Sequence, residues 1–549
     1  MRRWAPAVVA AASFVAFAPV LRDGFVYWDD PTYVADNPWI RGLTLEHFRW
    51  AITATRGGFW QPLTWLSFQF DYSLWGLNPA GFHATNLLLH AAAAVVFYFV
   101  ALELLGGRTK AALLAALFFA LHPLRVESVA WVTERKGLLS GLFFLLAALS
   151  WLKGRARLAF GAFLLSLTAK STGLTLPFVL LILECLRAKG LPGRRALTAL
   201  APFFVASAAA AALTWAVALA GGIVVDITPL GLAWRAGRAL YGLCFYPLAT
   251  AWPAGRSAYS PPKPWFGRWS WEFFACALAP LAAAALCWRE RRRRPGLAAA
   301  LAAYTVMILP VLGFVQQGQL YSACDRFSYL PGLSFALLFG AALSRDRRAT
   351  ALAAVWLLAL GAATWRQSGV WRDTLTLWTS AQENAPGTLP LGEKGAALLK
   401  LGRVEEGIAL LREATQGPRP QPTAFVNLGA ALSKLGREEE ARAAWSRGLA
   451  VSPSEEIASL LARSRASELH NRGNALLAQG RTMEAEKLYR EALRLDPGLS
   501  PSRVNLGNIL ARRGAYADAA AFYREALKTD PRSVEARANL DAVSALLRK

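Results

Sequence analysis

The chain has 549 residues, 55% of them hydrophobic, with 21 Trp and a mean hydropathy of +0.31. Lys and Arg outnumber Asp and Glu by 60 to 36, a net charge of +24. In a soluble protein that balance suggests nucleic acid; here most basic residues stand in short loops between long apolar runs, a positive-inside pattern that excludes a nucleic-acid partner as the reason for the charge.

The first apolar run, Trp4 to Leu21, lacks a convincing small-residue cleavage site and reads as an anchor. Trp28-Asp29-Asp30-Pro31 follows it closely. A charge at the bilayer centre costs roughly 2.5–3.5 kcal/mol, so acids at a membrane edge face water, protein or a cavity. This pair suits a turn cap, helped by Pro31, as well as it suits proton transfer. The loop from Arg22 to Phe82 holds four Arg against five Asp and one Glu and is expected outside. Its Trp28, Trp60 and Trp65 fit a headgroup-level belt, and also a sugar-stacking surface. His83, Asn86 and His90 then share one face of the second span, where a polar stripe normally bonds to neighbouring helices.

Residues 111–152 and 158–186 are each expected to form a hairpin. The arms Ala111 to Leu121 and Leu158 to Ala169 are well short of the roughly 20 residues of a full span. Backbone at membrane depth is tolerated only inside protein or a water-filled cavity, so His122-Pro123 and Lys170-Ser171 are expected to line a cavity open to the outer face. Between them Glu127, Trp131 and Glu134 recur at helical spacing, placing two carboxylates and an aromatic on one face. Glu134 could equally neutralise Arg135 or Lys136 as a surface pair. Lys170 has no acid beside it, and reads as snorkelling to the interface or as an anion ligand.

The 230–252 stretch is not expected to cross. After the polar run Gln316-Gln317-Gly318-Gln319, the segment Asp325-Arg326-Phe327-Ser328-Tyr329-Leu330-Pro331 returns to the outer side, with Arg326 a natural fork for phosphate. Placing Arg2-Arg3, Arg108/Lys110, Lys153/Arg155/Arg157, Arg187 to Arg195, Arg289 to Arg294 and Arg345 to Arg348 in the cytoplasm gives eleven crossings. The N-terminus is then inside and everything after Arg366 outside. Cys185, Cys244, Cys276, Cys287 and Cys324 are scattered and define neither a disulfide framework nor a metal site.

The remainder is a repeat array. Gly395/Gly429, Gly473/Gly507, Gly402/Gly436, Gly480/Gly514 and Pro497/Pro531 are each 34 residues apart, the tetratricopeptide period. Gly429 and Gly473 are 44 apart, so about ten residues inserted around Ser454 to Ser464 are expected to lengthen one helix. Four repeats and a capping helix to Lys549 exceed the minimum of about three for a stacked core. Such solenoids mostly offer a concave surface to peptides or partner proteins. The fold class is therefore all-α: a polytopic helix bundle over residues 1–378, then a solenoid over residues 379–549.

Acids for proton transfer, aromatics for a sugar face and isolated cations for phosphate together fit a membrane glycosyltransferase. Nucleotide sugars are generally cytoplasmic, so an outward-facing site would use a sugar carried on a polyprenyl phosphate. In its Trp28-Asp29-Asp30-Pro31, Asn37-Pro38, Pro62-Leu63-Thr64-Trp65, His83-x-x-Asn86, Leu121-His122-Pro123, Glu127 to Trp131, Glu134-Arg135-Lys136 and Asp325-Arg326-Phe327-x-Tyr329-Leu330-Pro331, the chain resembles the transmembrane and tetratricopeptide-repeat proteins and their bacterial relatives, within the GT-C superfamily of polytopic glycosyltransferases. It departs from the pattern in having Gln61 where His is frequent and Ser171 where Glu or Pro is usual.

The resemblance implies an inverting transfer of a sugar, mannose in the eukaryotic relatives, from a polyprenyl-phosphate donor to a protein Ser or Thr. In that scheme Asp29 is the general base and Asp30 orients it or the acceptor. Arg326, with Lys170 or Lys136, stabilises the leaving phosphate. Glu127 and His122 shape the sugar pocket, and His83, Asn86 and Tyr329 complete the substrate-binding set. No cofactor is demanded, although a divalent metal near Asp29 and Asp30 is left open. The expected setting is the inner membrane, with the repeats on the extracytoplasmic side engaging the protein acceptor. A lipid-linked glycan polymerase or ligase, and a non-enzymatic scaffold, are the competing readings.

Overall fold

The computed structural model describes residues 2–225, 230–313, 316–317 and 321–548. Gly318 and Gln319 of the polar run and the terminal Lys549 lie outside the described residues. Apart from a two-residue antiparallel pairing of Val224–Val225 with Gln316–Gln317, the regular elements described are helical. The chain divides into two compact units, Met1–Pro386 and Gly387–Lys549, a junction slightly later than the expected 378/379. The helix Thr374–Asn384 lies in the first unit and is tied to the first loop: Tyr27 N donates to Thr374 Oγ1 at 2.9 Å and Gly24 N to the Arg372 carbonyl at 2.9 Å.

Among the described residues, seven helices of the first unit are long and apolar enough to cross a membrane: Ala5–Arg22, Pro79–Leu104, Val132–Leu152, Ser171–Ala188, Arg194–Ala220, Trp271–Glu290 and Arg347–Trp371. An eighth candidate is broken, Thr109–Leu121 and Pro123–Ala130 meeting at 57°. Shorter apolar helices, Ala156–Ala169, Pro295–Val311 and Gly332–Leu343, accompany them; among the described residues length and composition allow seven or eight crossings, against the eleven expected from the basic clusters. Gly231–Ala251 is not among the candidate spans.

The breaks have local causes. Pro123 occupies the first turn of the segment that follows a break, where a missing N–H costs nothing. Lys170 is extended between two helices, and its chain direction is reset there. Close helix approach relies on small residues. A Cβ on Gly340 would strike the Ala111 carbonyl, so glycine lets Gly332–Leu343 lie against Thr109–Leu121.

In the second unit, helices Thr388–Lys400 to Val534–Leu546 form four antiparallel pairs and a final cap. Gly402, Gly436, Gly480 and Gly514 close the four intra-repeat turns at φ +75 to +82°, a left-handed conformation that favours glycine. The other glycine of each period admits a bulky partner: Gly429 faces Trp445, Gly473 faces Tyr489 and Gly507 faces Tyr523. The inserted residues do lengthen a helix, Glu455–Ala478, which runs 24 residues from its Ser454 cap.

Candidate active site

Asp30 and Asp29 stand at the start of a single π turn, Pro31–Ala35, a rare element frequent at functional sites. Their environments differ. Asp30 is fully buried: its Oδ2 accepts from Val26 N at 2.9 Å, and its Oδ1 accepts from Thr133 N at 3.0 Å and Thr133 Oγ1 at 2.5 Å. Burial pushes its carboxyl up to about 6, against the pull of these bonds. Asp29 is half-buried, and its carboxylate forms no hydrogen bond or ion pair with another described residue. Asp30 thus fastens the acid pair to the segment before Glu134 while Asp29 is left with a free oxygen pair.

Both Asp30 oxygens are occupied by backbone and hydroxyl donors, and among the described residues no group of three His, Cys, Asp or Glu could hold an ion.

The next segment brings the charges together. Trp131 is extended, so Glu127 and Glu134 do not lie on one continuous helix as their spacing suggests; Val126–Ala130 ends, a short 3₁₀ turn Val132–Glu134 follows, and Arg135–Leu152 resumes. They converge nonetheless, through Arg326. Glu127 accepts from Arg326 N at 2.8 Å and is ion-paired with its guanidinium, whose Nε lies 3.8 Å from Glu134 Oε1. Glu134 also accepts from Lys170 Nζ at 2.8 Å and 3.1 Å, with Lys136 Nζ at 4.0 Å. Lys170 is therefore not without an acid, and Glu134 is not a surface partner of Arg135. A Cβ on Gly137 would sit 2.8 Å from Glu134 Oε2, so glycine keeps the carboxylate's position open.

Arg135 belongs to a separate buried knot. It donates to Asp71 Oδ2 at 2.7 Å and the Phe82 carbonyl at 2.8 Å, and bonds Asn86 Oδ1, whose amide in turn donates to the Val129 and Trp131 carbonyls. Asn86 is thus a brace for the Glu127–Glu134 segment. His83 is buried against the Gly24 carbonyl at 3.3 Å. His122 is engaged on both ring nitrogens, with the Thr250 carbonyl at 3.0 Å and the Leu124 N–H at 3.2 Å. Tyr329 is buried, its hydroxyl 3.0 Å from His90 Nδ1. The structure therefore gathers Glu127, Lys136, Lys170 and Arg326 and leaves His83, Asn86, His122 and Tyr329 in packing positions.

Aromatic rings enclose the cluster. Lys136 Nζ lies 4.6 Å from the Tyr33 ring centre, and the Arg326 guanidinium 5.3 Å from that of Trp131. Tyr33 is also the common electrostatic neighbour of Asp29 and Glu134, and its hydroxyl meets Gln61. Trp28 stacks on Trp131 at 4.8 Å and meets Trp378 at 5.0 Å, while Trp65 is fully buried against Tyr33; neither forms a headgroup belt. Thr133 and Tyr33, central here, carry no sequence signal beyond their nearness to the acids. A cavity of about 1000 Å³ adjoins Pro123 and is lined by Arg256, Arg366, Gln367, Thr379 and Ser380 among others. Arg256 reaches Asp325 at 3.6 Å, beside Arg326; burial pushes the Asp325 carboxyl up to about 7 against the pull of Arg256.

A polytopic helical membrane unit with a buried acid and cation cluster at its helix breaks, followed by a tetratricopeptide solenoid, is the class this chain defines. The tetratricopeptide repeat model matches residues 393–456 and 470–534. The chain is similar to human protein O-mannosyl-transferase TMTC4, 36% identical over 171 residues, 27% of this chain and 23% of that protein. It is similar also to protein O-mannosyl-transferase TMTC1 of Mus musculus, 36% over 160 residues, 27% of this chain and 16% of that one. The matches thus span under a quarter of these relatives' own length. Among solved structures a MamA chain (AMB-1) is 19% identical, covering 29% of this chain and 82% of its own, with a TM-score of 0.21.

Proposed function

We propose that this protein is a membrane glycosyltransferase that moves a sugar, mannose in the relatives' names, from a polyprenyl-phosphate donor to a protein hydroxyl on the extracytoplasmic face. The observation that carries the proposal is the cluster itself. Lys136, Lys170 and Arg326 face Glu127 and Glu134, three cations against two carboxylates, which leaves one positive charge for a phosphate.

In the reaction, Asp29 takes the proton of the acceptor hydroxyl as its oxygen attacks the anomeric carbon. The bond from that carbon to the phosphate oxygen breaks with inversion, and the lipid phosphate leaves as an anion. Lys170 and Arg326, already fixed by Glu134 and Glu127, need no reorganisation to meet the charge that develops on it, the kind of term that tends to dominate catalysis. Asp30 keeps the acid pair in register with the cluster through Thr133. The cavity beside Arg256 offers hydroxyl and amide partners for the acceptor segment or the sugar. The repeats supply a groove for the acceptor protein. Intact-mass glycoproteomics of envelope proteins from cells with and without this protein tests the reading: loss of hexose from Ser or Thr supports it, and an unchanged profile contradicts it.

A further inference from the structure

A second cavity, of about 580 Å³, lies among the helices Pro79–Leu104, Arg135–Leu152, Leu176–Ala188, Pro295–Ile308 and Gly332–Leu343. Its wall is mostly apolar, from Phe97, Phe144, Met307 and Leu333 outward; Ser334 is its one polar uncharged side chain, and Arg108, Arg294 and Arg345 are its charged ones. All three arginines are exposed. Arg108 donates to the Leu105 carbonyl, Arg294 is 3.8 Å from Glu290, and Arg345 has no hydrogen bond or ion pair with a described residue. They come from three chain segments at one end of the bundle. Asn86 and the acid cluster are at the opposite end of Pro79–Leu104, whose 26 residues span about 39 Å.

The dimensions identify the occupant. The wall runs from Gly296 to Met307 on one helix and from Ala342 back to Leu333 on another, about 14–17 Å at 1.5 Å per residue. That is half the roughly 30 Å hydrocarbon core, the depth of one leaflet. A polyprenyl chain is far longer than this groove. We infer that the cavity is a binding site for an anionic glycerophospholipid of the adjoining leaflet, an acyl chain lying in the groove and the phosphate held by Arg108, Arg294 and Arg345. The site stands apart from the transfer reaction, and holds whether or not that reaction is the one proposed.

Native mass spectrometry of the delipidated full chain tests this with three probes: phosphatidylglycerol, phosphatidylcholine of equal acyl length, and a polyprenyl phosphate. Each basic residue near an anionic headgroup contributes roughly fivefold, so phosphatidylglycerol should be retained up to about a hundredfold better than phosphatidylcholine. The variant Arg108→Gln/Arg294→Gln/Arg345→Gln should lose the preference. Arg345→Gln alone, which breaks no described bond, should cut it about fivefold with an unchanged unfolding midpoint without lipid. Equal retention of the two phospholipids, displacement of phosphatidylglycerol by polyprenyl phosphate, or a preference indifferent to Arg345→Gln would each overturn the assignment.

Discussion

Lys170 Nζ lies 2.8 Å from Glu134 Oε2, and both residues sit at breaks between helices. One bond therefore pins two interrupted segments together. Removing one member of a buried pair typically costs 3–5 kcal/mol, whereas removing both costs far less. Lys170→Met and Glu134→Gln should each lower the unfolding midpoint in detergent, and the double variant should fall by less than their sum. Simple additivity in that cycle would show the pair to be uncoupled.

Arg326 is held at its backbone N–H and its guanidinium by Glu127, which leaves its fork fixed before any donor arrives. Arg326→Ala should raise the KM for a polyprenyl-phosphate sugar and lower kcat as well, because a phosphate contact acts in the ground state and the transition state. Arg326→Lys should not restore the wild-type values, since a point charge cannot reproduce the bidentate fork. Steady-state kinetics that change in kcat alone would remove the donor contact from the account.

Asp30 carries a pH signature. Burial holds its carboxyl at about 6 against an ordinary 3.8. A raised carboxyl favours the folded state in its protonated form, so this contribution is complete below about pH 3.8 and is lost as pH rises through about 6. Unfolding midpoints of the wild type should fall, relative to Asp30→Asn, over that window. Parallel profiles for the two proteins would place the Asp30 titration elsewhere.

The architecture is legible in the sequence because its signals are long and periodic: apolar runs bounded by basic loops, and glycines every 34 residues whose turn and packing roles the helices then display. The site is legible only as a set of residue types. Glu134 is the partner of Lys170 from 36 positions away, and Glu127 that of Arg326 from 199. No local spacing exposes such pairs. The helical spacing of Glu127 and Glu134 leads to the right convergence by the wrong route, since Trp131 interrupts the helix and Arg326 supplies the link. His122 has the look of a ligand in sequence, yet its ring fastens the helix break to Thr250, 128 residues on.

The repeats form a compact unit of their own from Gly387 onward, while the acids and cations of the candidate site precede it. Truncation after Pro386 should leave polyprenyl-phosphate binding within about twofold of the full chain and reduce modification of a folded acceptor protein. A short peptide acceptor, which needs no groove, should be affected less. Loss of donor binding in a folded truncation would make the repeats part of the site.

Asp29 bears the central claim. Asp29→Asn keeps the size and hydrogen-bonding capacity of the side chain and removes the basic oxygen, so a general base should lose about 10²–10⁴-fold in rate. A turn cap would instead cost about 0.5–2 kcal/mol of local stability and leave chemistry intact. The measurement is transfer from a purified polyprenyl-phosphate mannose to a Ser/Thr peptide by the reconstituted wild-type and Asp29→Asn proteins, alongside donor binding. The account predicts transfer by the wild type, a rate at least about a hundredfold lower in the variant, and equal donor binding. Transfer by the variant at the wild-type rate would contradict it.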